Sequence, residues 1–213
     1  MIKKICNDDA QIFPYIARLP LNMKDNLPII IQLHGAGERG MGTDKDIGLV
    51  EVHGFSHVFT DEAEIECILI QPQCRPDSFW VAHIQELRLF IQEMIRTYNS
   101  DENRVYLTGL SMGGYGTWYT ALAFPELFAA IAPVCGGGMP WMADRLTMPI
   151  WAFHGTDDDA VLPSNSIDMI NALRRCGRGD DVKFTLKEHV GHNVWEYAYG
   201  QELLDWLLAQ KKA

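Results

Sequence analysis

Several stretches of this chain are continuous apolar runs of strand length, each stopped by a loop rich in glycine or proline. They are residues 28–33 (Pro-Ile-Ile-Ile-Gln-Leu), 66–71 (Glu-Cys-Ile-Leu-Ile-Gln), 104–108 (Arg-Val-Tyr-Leu-Thr), 128–135 (Phe-Ala-Ala-Ile-Ala-Pro-Val-Cys) and 149–153 (Pro-Ile-Trp-Ala-Phe). A strand without apolar/polar alternation is one covered on both faces, as in a parallel sheet. Helical periodicity lies between the runs. Residues 83–98 place Ile84, Leu87, Ile91, Met94, Ile95 and Tyr98 on one face, and residues 164–176 place Ile167, Ile170 and Leu173 likewise. A last helix carries Leu203, Leu204, Trp206, Leu207 and Leu208. Strands alternating with helices predict an α/β fold, a mostly parallel central sheet with helices on both faces. Residues 15–19 alternate weakly, as an edge strand would, and residues 182–188 alternate as a half-exposed strand. Residues 41–60 are indistinct, with loop signals and one short helix around 47–52. A chain of 213 residues with no repeat and no linker is expected to form a single domain over residues 1–213.

In such sheets, sites gather at the carboxyl ends of the strands. Thr108-Gly-Leu-Ser-Met-Gly-Gly114 sits at one such end, directly before a helical pattern with Tyr115, Trp118, Tyr119 and Leu122 at i, i+3, i+4 and i+7. Strand, sharp turn and helix around Gly-x-Ser-x-Gly form a nucleophile elbow, in which Gly109 and Gly113 let strand and helix pass close together. The new helix brings free N–H groups and the positive end of its dipole beside the Ser111 hydroxyl.

A serine hydroxyl attacks only if a base takes its proton, and an imidazole does so only if an acceptor fixes its tautomer. Of the seven histidines, His192 alone combines the end of the last strand with a preceding glycine, whereas His154 reads as an anchor for the acidic loop that follows it. That loop carries Asp157, Asp158 and Asp159, and only one of them can reach the imidazole. Three adjacent aspartates point in different directions, and no distant ligand set accompanies them, so no metal is expected. No cofactor motif is present either. An oxyanion needs two N–H donors. One is expected at Met112, after the nucleophile, and the other at Ala36, in the loop His34-Gly-Ala-Gly37 that ends the first buried strand. Cys135 lacks the small-residue elbow and reads as a buried thiol.

Composition narrows the partners. A net charge of −10 repels nucleic acid and anionic membrane. The N-terminal segment, residues 1–9, has two lysines but no apolar core of signal-peptide length behind them, and no run approaches the length of a membrane span. Five cysteines without metal-site spacing fit free thiols in a reducing compartment, so the expected location is cytoplasmic and the expected partner a small molecule.

The segments Ile31-Gln-Leu-His-Gly-Ala-Gly-Glu-Arg-Gly40, Ile70-Gln-Pro-Gln73, Leu107-Thr-Gly-Leu-Ser-Met-Gly-Gly-Tyr-Gly-Thr-Trp118, Trp151-Ala-Phe-His-Gly155 and Val190-Gly-His192 with Trp195 resemble the small esterases of the α/β-hydrolase superfamily. The nearest groups are the phospholipase/carboxylesterase and dienelactone-hydrolase-like families, including bacterial hydrolases labelled peptidases or feruloyl-esterase-like. The order Ser, Asp, His is the one these hydrolases use. The resemblance implies the α/β-hydrolase fold, Ser111 as nucleophile, His192 as base, Asp158 as acid two residues beyond His-Gly, and Ala36 and Met112 as oxyanion donors. An extra residue before Pro163 leaves a register slip to Asp157 or Asp159 open. Serine in place of the cysteine of dienelactone hydrolases implies ester substrates.

Between Gly138 and Pro149 there is no room for a helical cap, so the fold should be minimal and its site open. Trp80, Tyr115, Trp141 and Trp195 are candidates to hold an acyl or aryl group. Peptide or thioester hydrolysis by the same triad, and a non-catalytic binding module on this scaffold, are the competing readings.

Overall fold

The structure, a computed structural model, describes residues 1–8 and 11–212. They build one eight-stranded sheet in the order β1-β2-β4-β3-β5-β6-β7-β8. Its strands are β1 (Ile2–Cys6), β2 (Tyr15–Leu19), β3 (Ile29–Leu33), β4 (Ile68–Pro72), β5 (Val105–Leu110), β6 (Ala130–Val134), β7 (Ile150–Gly155) and β8 (Val182–Lys187). The pairings β1–β2 and β2–β4 are antiparallel, and all the others are parallel. The chain leaves β3 for β4 on one side and returns to β5 on the other. Such a reversal opens a crevice at the carboxyl ends of β3 and β5, where two connections diverge.

Alternate side chains of each buried strand feed two apolar layers. Ile29, Ile31, Leu33, Val105 and Leu107 pack on one face with α1 (Ile84–Thr97), α2 (Met112–Ala123) and α3 (Ser164–Arg175). Ile30, Leu69 and Tyr106 pack on the other with Phe55, Phe59, α4 (Trp195–Ala198) and α5 (Gln201–Leu208). Both faces are therefore core, which is why the central runs show no alternation. Each fully buried Ile or Leu contributes about 1.5–3 kcal/mol, so the central strands hold the frame rigidly beneath the loops they end in.

The structure adds and corrects several elements. Strand β1 had no sequence signal, because an outermost strand is wetted on both faces: Ile2 and Ile5 are 47% and 45% exposed. Its lysines suit an edge, where charge discourages pairing with other chains, and Lys3 pairs with Glu51. Residues 41–60 hold short 3₁₀ turns, Ile47–Glu51 and Phe55–His57. The turn Pro125–Leu127 delays β6 to Ala130. The short 3₁₀ turn Pro140–Arg145 lies in the connection between β6 and β7, where no room for a cap is expected. Among the described residues, no helix is long and apolar enough to cross a membrane.

Candidate active site

Strand β5 and helix α2 meet at Ser111, whose backbone stands at φ 53°, ψ −116°. A non-glycine residue held there costs on the order of 1–3 kcal/mol and persists only where its surroundings over-determine it. The Ser111 N–H donates to Val134 O at 3.0 Å, and the Tyr115 N–H donates to Ser111 O at 3.1 Å. A Cβ on Gly109 would stand 2.4 Å from Gly113 O, and one on Gly113 would stand 2.1 Å from Leu33 O. The helix thus begins against the backbones of β3 and β5, and the serine side chain is lifted out of the sheet.

The imidazole arrives from the loop after β8. His189 reverses the chain at φ 58°, its N–H donating to Thr156 Oγ1 at 2.9 Å, while the Asp157 N–H donates to Val190 O at 3.0 Å. These bonds tie the loop after β8 to the loop after β7. His192 Nε2 lies 2.8 Å from Ser111 Oγ, and His192 Nδ1 lies 2.7 Å from Asp158 Oδ2. An ionised carboxylate only accepts, so Nδ1 carries the proton and Nε2 is left bare toward the hydroxyl. Asp158 is 2% exposed, and its Oδ1 accepts the N–H groups of Ala160 at 3.0 Å and Val161 at 2.8 Å. Of the three adjacent aspartates it alone meets His192. Asp157 is exposed and accepts from Thr156 Oγ1 at 2.6 Å, and Asp159 is exposed.

The loop after β3 is fixed from below. His34 Nε2 accepts the Cys74 N–H at 2.9 Å, so its proton sits on Nδ1, which donates to Gly35 O at 2.6 Å. Burial pushes the His34 pKa down to about 4, against the pull of that carbonyl, and keeps the ring neutral. Trp80 Nε1 donates to His34 O at 3.0 Å and Arg39 Nε to Ala36 O at 2.9 Å. The backbone N–H groups of Ala36 and Met112 each open a helical turn, and neither donates to another group among the described residues. They remain available to a substrate oxygen.

Two cavities flank Ser111. One, of about 390 Å³, is lined by Phe79, Val81, Met112, Tyr115 and Tyr119 together with Ser111. The other, of about 220 Å³, is lined by the 35–38 loop, His53, Leu110, His192 and Trp195 together with Ser111. Of the four aromatic candidates, Tyr115 and Trp195 line these cavities. Trp80 does not: it is fully buried core, supporting the loop rather than facing a ligand. Trp141 is 78% exposed and lines neither cavity. Sequence reasoning overlooked His53, Glu38, Phe79, Val81 and Tyr119. Only Tyr119 carried a usable signal, lying one helical turn beyond Tyr115.

Cys135 Sγ, an Asp158 oxygen and a His192 nitrogen lie within 4.8 Å of one another. Burial pushes the Cys135 thiol pKa up, so it stays protonated, and a metal there would have to break the bond between Asp158 and His192.

Residues 70–205 match the model of the family described as "Putative esterase". A bifunctional acetylxylan esterase/xylanase of Neocallimastix patriciarum is 29% identical over 197 residues, which cover 85% of this chain and 27% of that protein. Poly(3-hydroxyalkanoate) depolymerase C of Paucimonas lemoignei is 26% identical over 241 residues, covering 92% of this chain and 56% of its own length. Among solved structures, a thermostable esterase superposes with a TM-score of 0.79 at 33% identity, over 99% of this chain and 63% of that one. The feruloyl esterase module from Clostridium thermocellum superposes with a TM-score of 0.71 at 15% identity, a likeness of fold alone. The chain spans less than two thirds of the length of the first three of these relatives.

Proposed function

The chain belongs to this esterase family and has the α/β-hydrolase fold, and from that premise we propose that it cleaves carboxylic esters by acylating Ser111. As Ser111 Oγ bonds to the ester carbon, His192 Nε2 takes the hydroxyl proton, and Asp158 holds the imidazolium that forms. The carbonyl oxygen becomes an oxyanion between the N–H groups of Ala36 and Met112, donors each worth about 3 kcal/mol of barrier. Collapse breaks the bond to the alcohol oxygen, which leaves with the proton that His192 returns. Water then repeats the sequence on the acyl-enzyme, releasing the acid and restoring Ser111. No step calls for a metal or a cofactor.

The observation that carries this reading is the unbroken chain from Ser111 Oγ through both nitrogens of His192 to Asp158, at 2.8 Å and 2.7 Å. The leaving oxygen must lie within reach of His192, so the cavity that includes His192 receives the alcohol. The apolar cavity with Phe79, Tyr115 and Tyr119 then receives the acyl group. A carboxylate, an imidazole and an indole around the alcohol suit one that bears further hydroxyls, in line with the sugar ester named for the Neocallimastix relative. The thiols, all five free, support a reducing, cytoplasmic setting for the reaction.

The test is Ser111→Ala. Folded variant should lose essentially all turnover of short p-nitrophenyl acyl esters, and a fluorophosphonate should label the wild-type protein at Ser111 alone. Retained turnover in the alanine variant, or a wild-type serine that resists the probe, would defeat the assignment.

A further inference from the structure

Asp158 Oδ2 faces two imidazoles. His192 Nδ1 lies 2.7 Å from it, and His154 Nε2 approaches the same oxygen at 3.3 Å from the opposite, fully buried side. His154 closes strand β7 four residues before the carboxylate. Its Nε2 also lies 2.8 Å from Val161 O, and its Nδ1 lies 2.7 Å from Ser166 Oγ, a buried hydroxyl on α3 that is itself 2.9 Å from Gly136 O.

These contacts determine where the ring's proton sits. Both neighbours of Nε2, a carbonyl and a carboxylate, can only accept, so an unprotonated Nε2 would set three lone pairs against one another. Nδ1 faces the Ser166 hydroxyl, whose single proton can go to Gly136 O at 2.9 Å or turn to Nδ1 at 2.7 Å; turning it costs one neutral bond to a carbonyl, less than setting Nε2 bare against a carbonyl and a carboxylate. Burial lowers the His154 pKa more than the neighbouring Asp158 charge raises it, and the nearby His192 lowers it further, so the ring is neutral with one proton to place. That proton belongs on Nε2, shared between Val161 O and Asp158 Oδ2.

The two oxygens of Asp158 are thus held differently. Oδ1 is fixed by two backbone N–H groups, whereas among the described residues Oδ2 meets the two imidazoles alone. His192 is partly exposed and must rock as it passes a proton between Ser111 and the departing alcohol. Whenever its bond to Oδ2 lengthens, His154 Nε2–H is the donor left to that buried anionic oxygen, and losing both would be costly in a low-dielectric site.

Building on the acyl-transfer reading above, we propose that His154 is a positioning residue for the reaction: its Nε2–H holds Asp158 Oδ2 in line with His192 and keeps that oxygen hydrogen-bonded throughout turnover. The notion of a simple anchor for the acidic loop is narrower, since the loop is already pinned by Oδ1 and by the bonds to the loop after β8.

Two substitutions separate the roles. Glutamine can present an amide N–H where Nε2 stands, while asparagine reaches only the Nδ1 side, toward Ser166. His154→Gln should keep kcat within about threefold of wild type. His154→Asn should lower kcat roughly ten- to hundredfold with KM little changed, the usual scale for losing the partner that orients a reacting group. If asparagine matches or exceeds glutamine, or if both retain full kcat, His154 merely anchors the loop and the proposal fails, while acylation of Ser111 would still be measurable in either variant. Wild-type protein with ¹⁵N-labelled histidine gives a check that needs no variant: the proposal requires the His154 proton on Nε2, and a proton on Nδ1 overturns it.

Discussion

The indole of Trp195 stands edge-on to the ring of His192, with centroids 5.3 Å apart and planes at 87°. The same indole lies 5.1 Å from the ring of His53, so it flanks the imidazole in the cavity that both rings line, the one proposed to take the alcohol. In the acyl transfer proposed above, this contact would hold His192 in line between Ser111 and the leaving oxygen. An edge-to-face pair of this kind contributes about 0.5–1.5 kcal/mol beyond the area it buries. Trp195→Ala should therefore lower kcat about three- to tenfold on p-nitrophenyl acetate, and Trp195→Phe should restore most of the loss. Steady-state kinetics of the pair decide it, since a contact that matters only for folding would leave kcat of the soluble enzyme unchanged.

The elbow makes a stability prediction with a built-in contrast. The methyl group of Gly113→Ala would meet Leu33 O at 2.1 Å, Leu33 C at 2.6 Å and His34 O at 2.8 Å, all backbone atoms of a central strand end that cannot swing aside. Loss of more than about 4 kcal/mol is expected, the range reached only by severe overpacking or buried polar damage. Gly37→Ala, in the neighbouring loop, meets nothing within 4 Å and should cost under about 1 kcal/mol. Denaturant midpoints of the two variants should differ widely. Similar midpoints would mean that the strand end yields.

Acid should unfold the protein partly through His34. Its pKa is pushed down to about 4 in the fold, from an ordinary value of 6.5, because burial disfavours the charged ring. Below pH 6.5 the unfolded chain binds a proton there that the folded chain refuses, so stability falls as the pH drops toward 4 and is at its full value above 6.5. The shift corresponds to about 3 kcal/mol. His154, also lowered by burial, adds to the same slope. His34→Gln should be less stable at pH 7.5, having lost a fitted ring, yet should lose less of its remaining stability between pH 6.5 and 4 than the wild type. Equal slopes in urea titrations at the two pH values would show that the ring does not carry this dependence.

Much of this arrangement was readable in the chain because local and global constraints coincide there. The central runs are apolar on both faces because both faces are core, and Gly109 and Gly113 report a close approach that no other residue permits. Ser111, Asp158 and His192 each follow a strand by a few residues, so strand ends alone brought them to one rim. What stayed hidden depends on contacts between distant segments. The strand at residues 2–6 is solvated on both sides and has no pattern to show. Trp80 sits in a loop by sequence, and only the path of that loop turns its indole inward to His34 O. His53 lies in a stretch without periodicity, and its place beside Glu38, with His53 Nε2 3.6 Å from Glu38 Oε1, exists only once residues 47–57 fold over the end of β3. The three adjacent aspartates differ in burial rather than in kind, so composition and pattern do not separate them; only the resemblance to known esterases points to Asp158, the buried one.

The acyl role proposed for the apolar cavity can be tested by filling it. Val81 shares the apolar cavity with Phe79, Tyr115 and Tyr119, and it comes from the turn Trp80–Ala82 rather than from the elbow. Val81→Trp would occupy volume along the path proposed for the acyl chain while leaving His192, Asp158 and the cavity beside Trp195 untouched. An acetyl group reaches only the carbonyl and its first carbon, whereas a butyryl group extends two methylenes deeper, and each methylene in an apolar pocket is worth about 1–3 kcal/mol of discrimination. The ratio of kcat/KM for p-nitrophenyl butyrate over acetate should accordingly fall at least tenfold in this variant. If instead the ratio is unchanged while esters of bulky alcohols become poor substrates, the two cavities have exchanged roles, and His192 must then return its proton on the side of Tyr119.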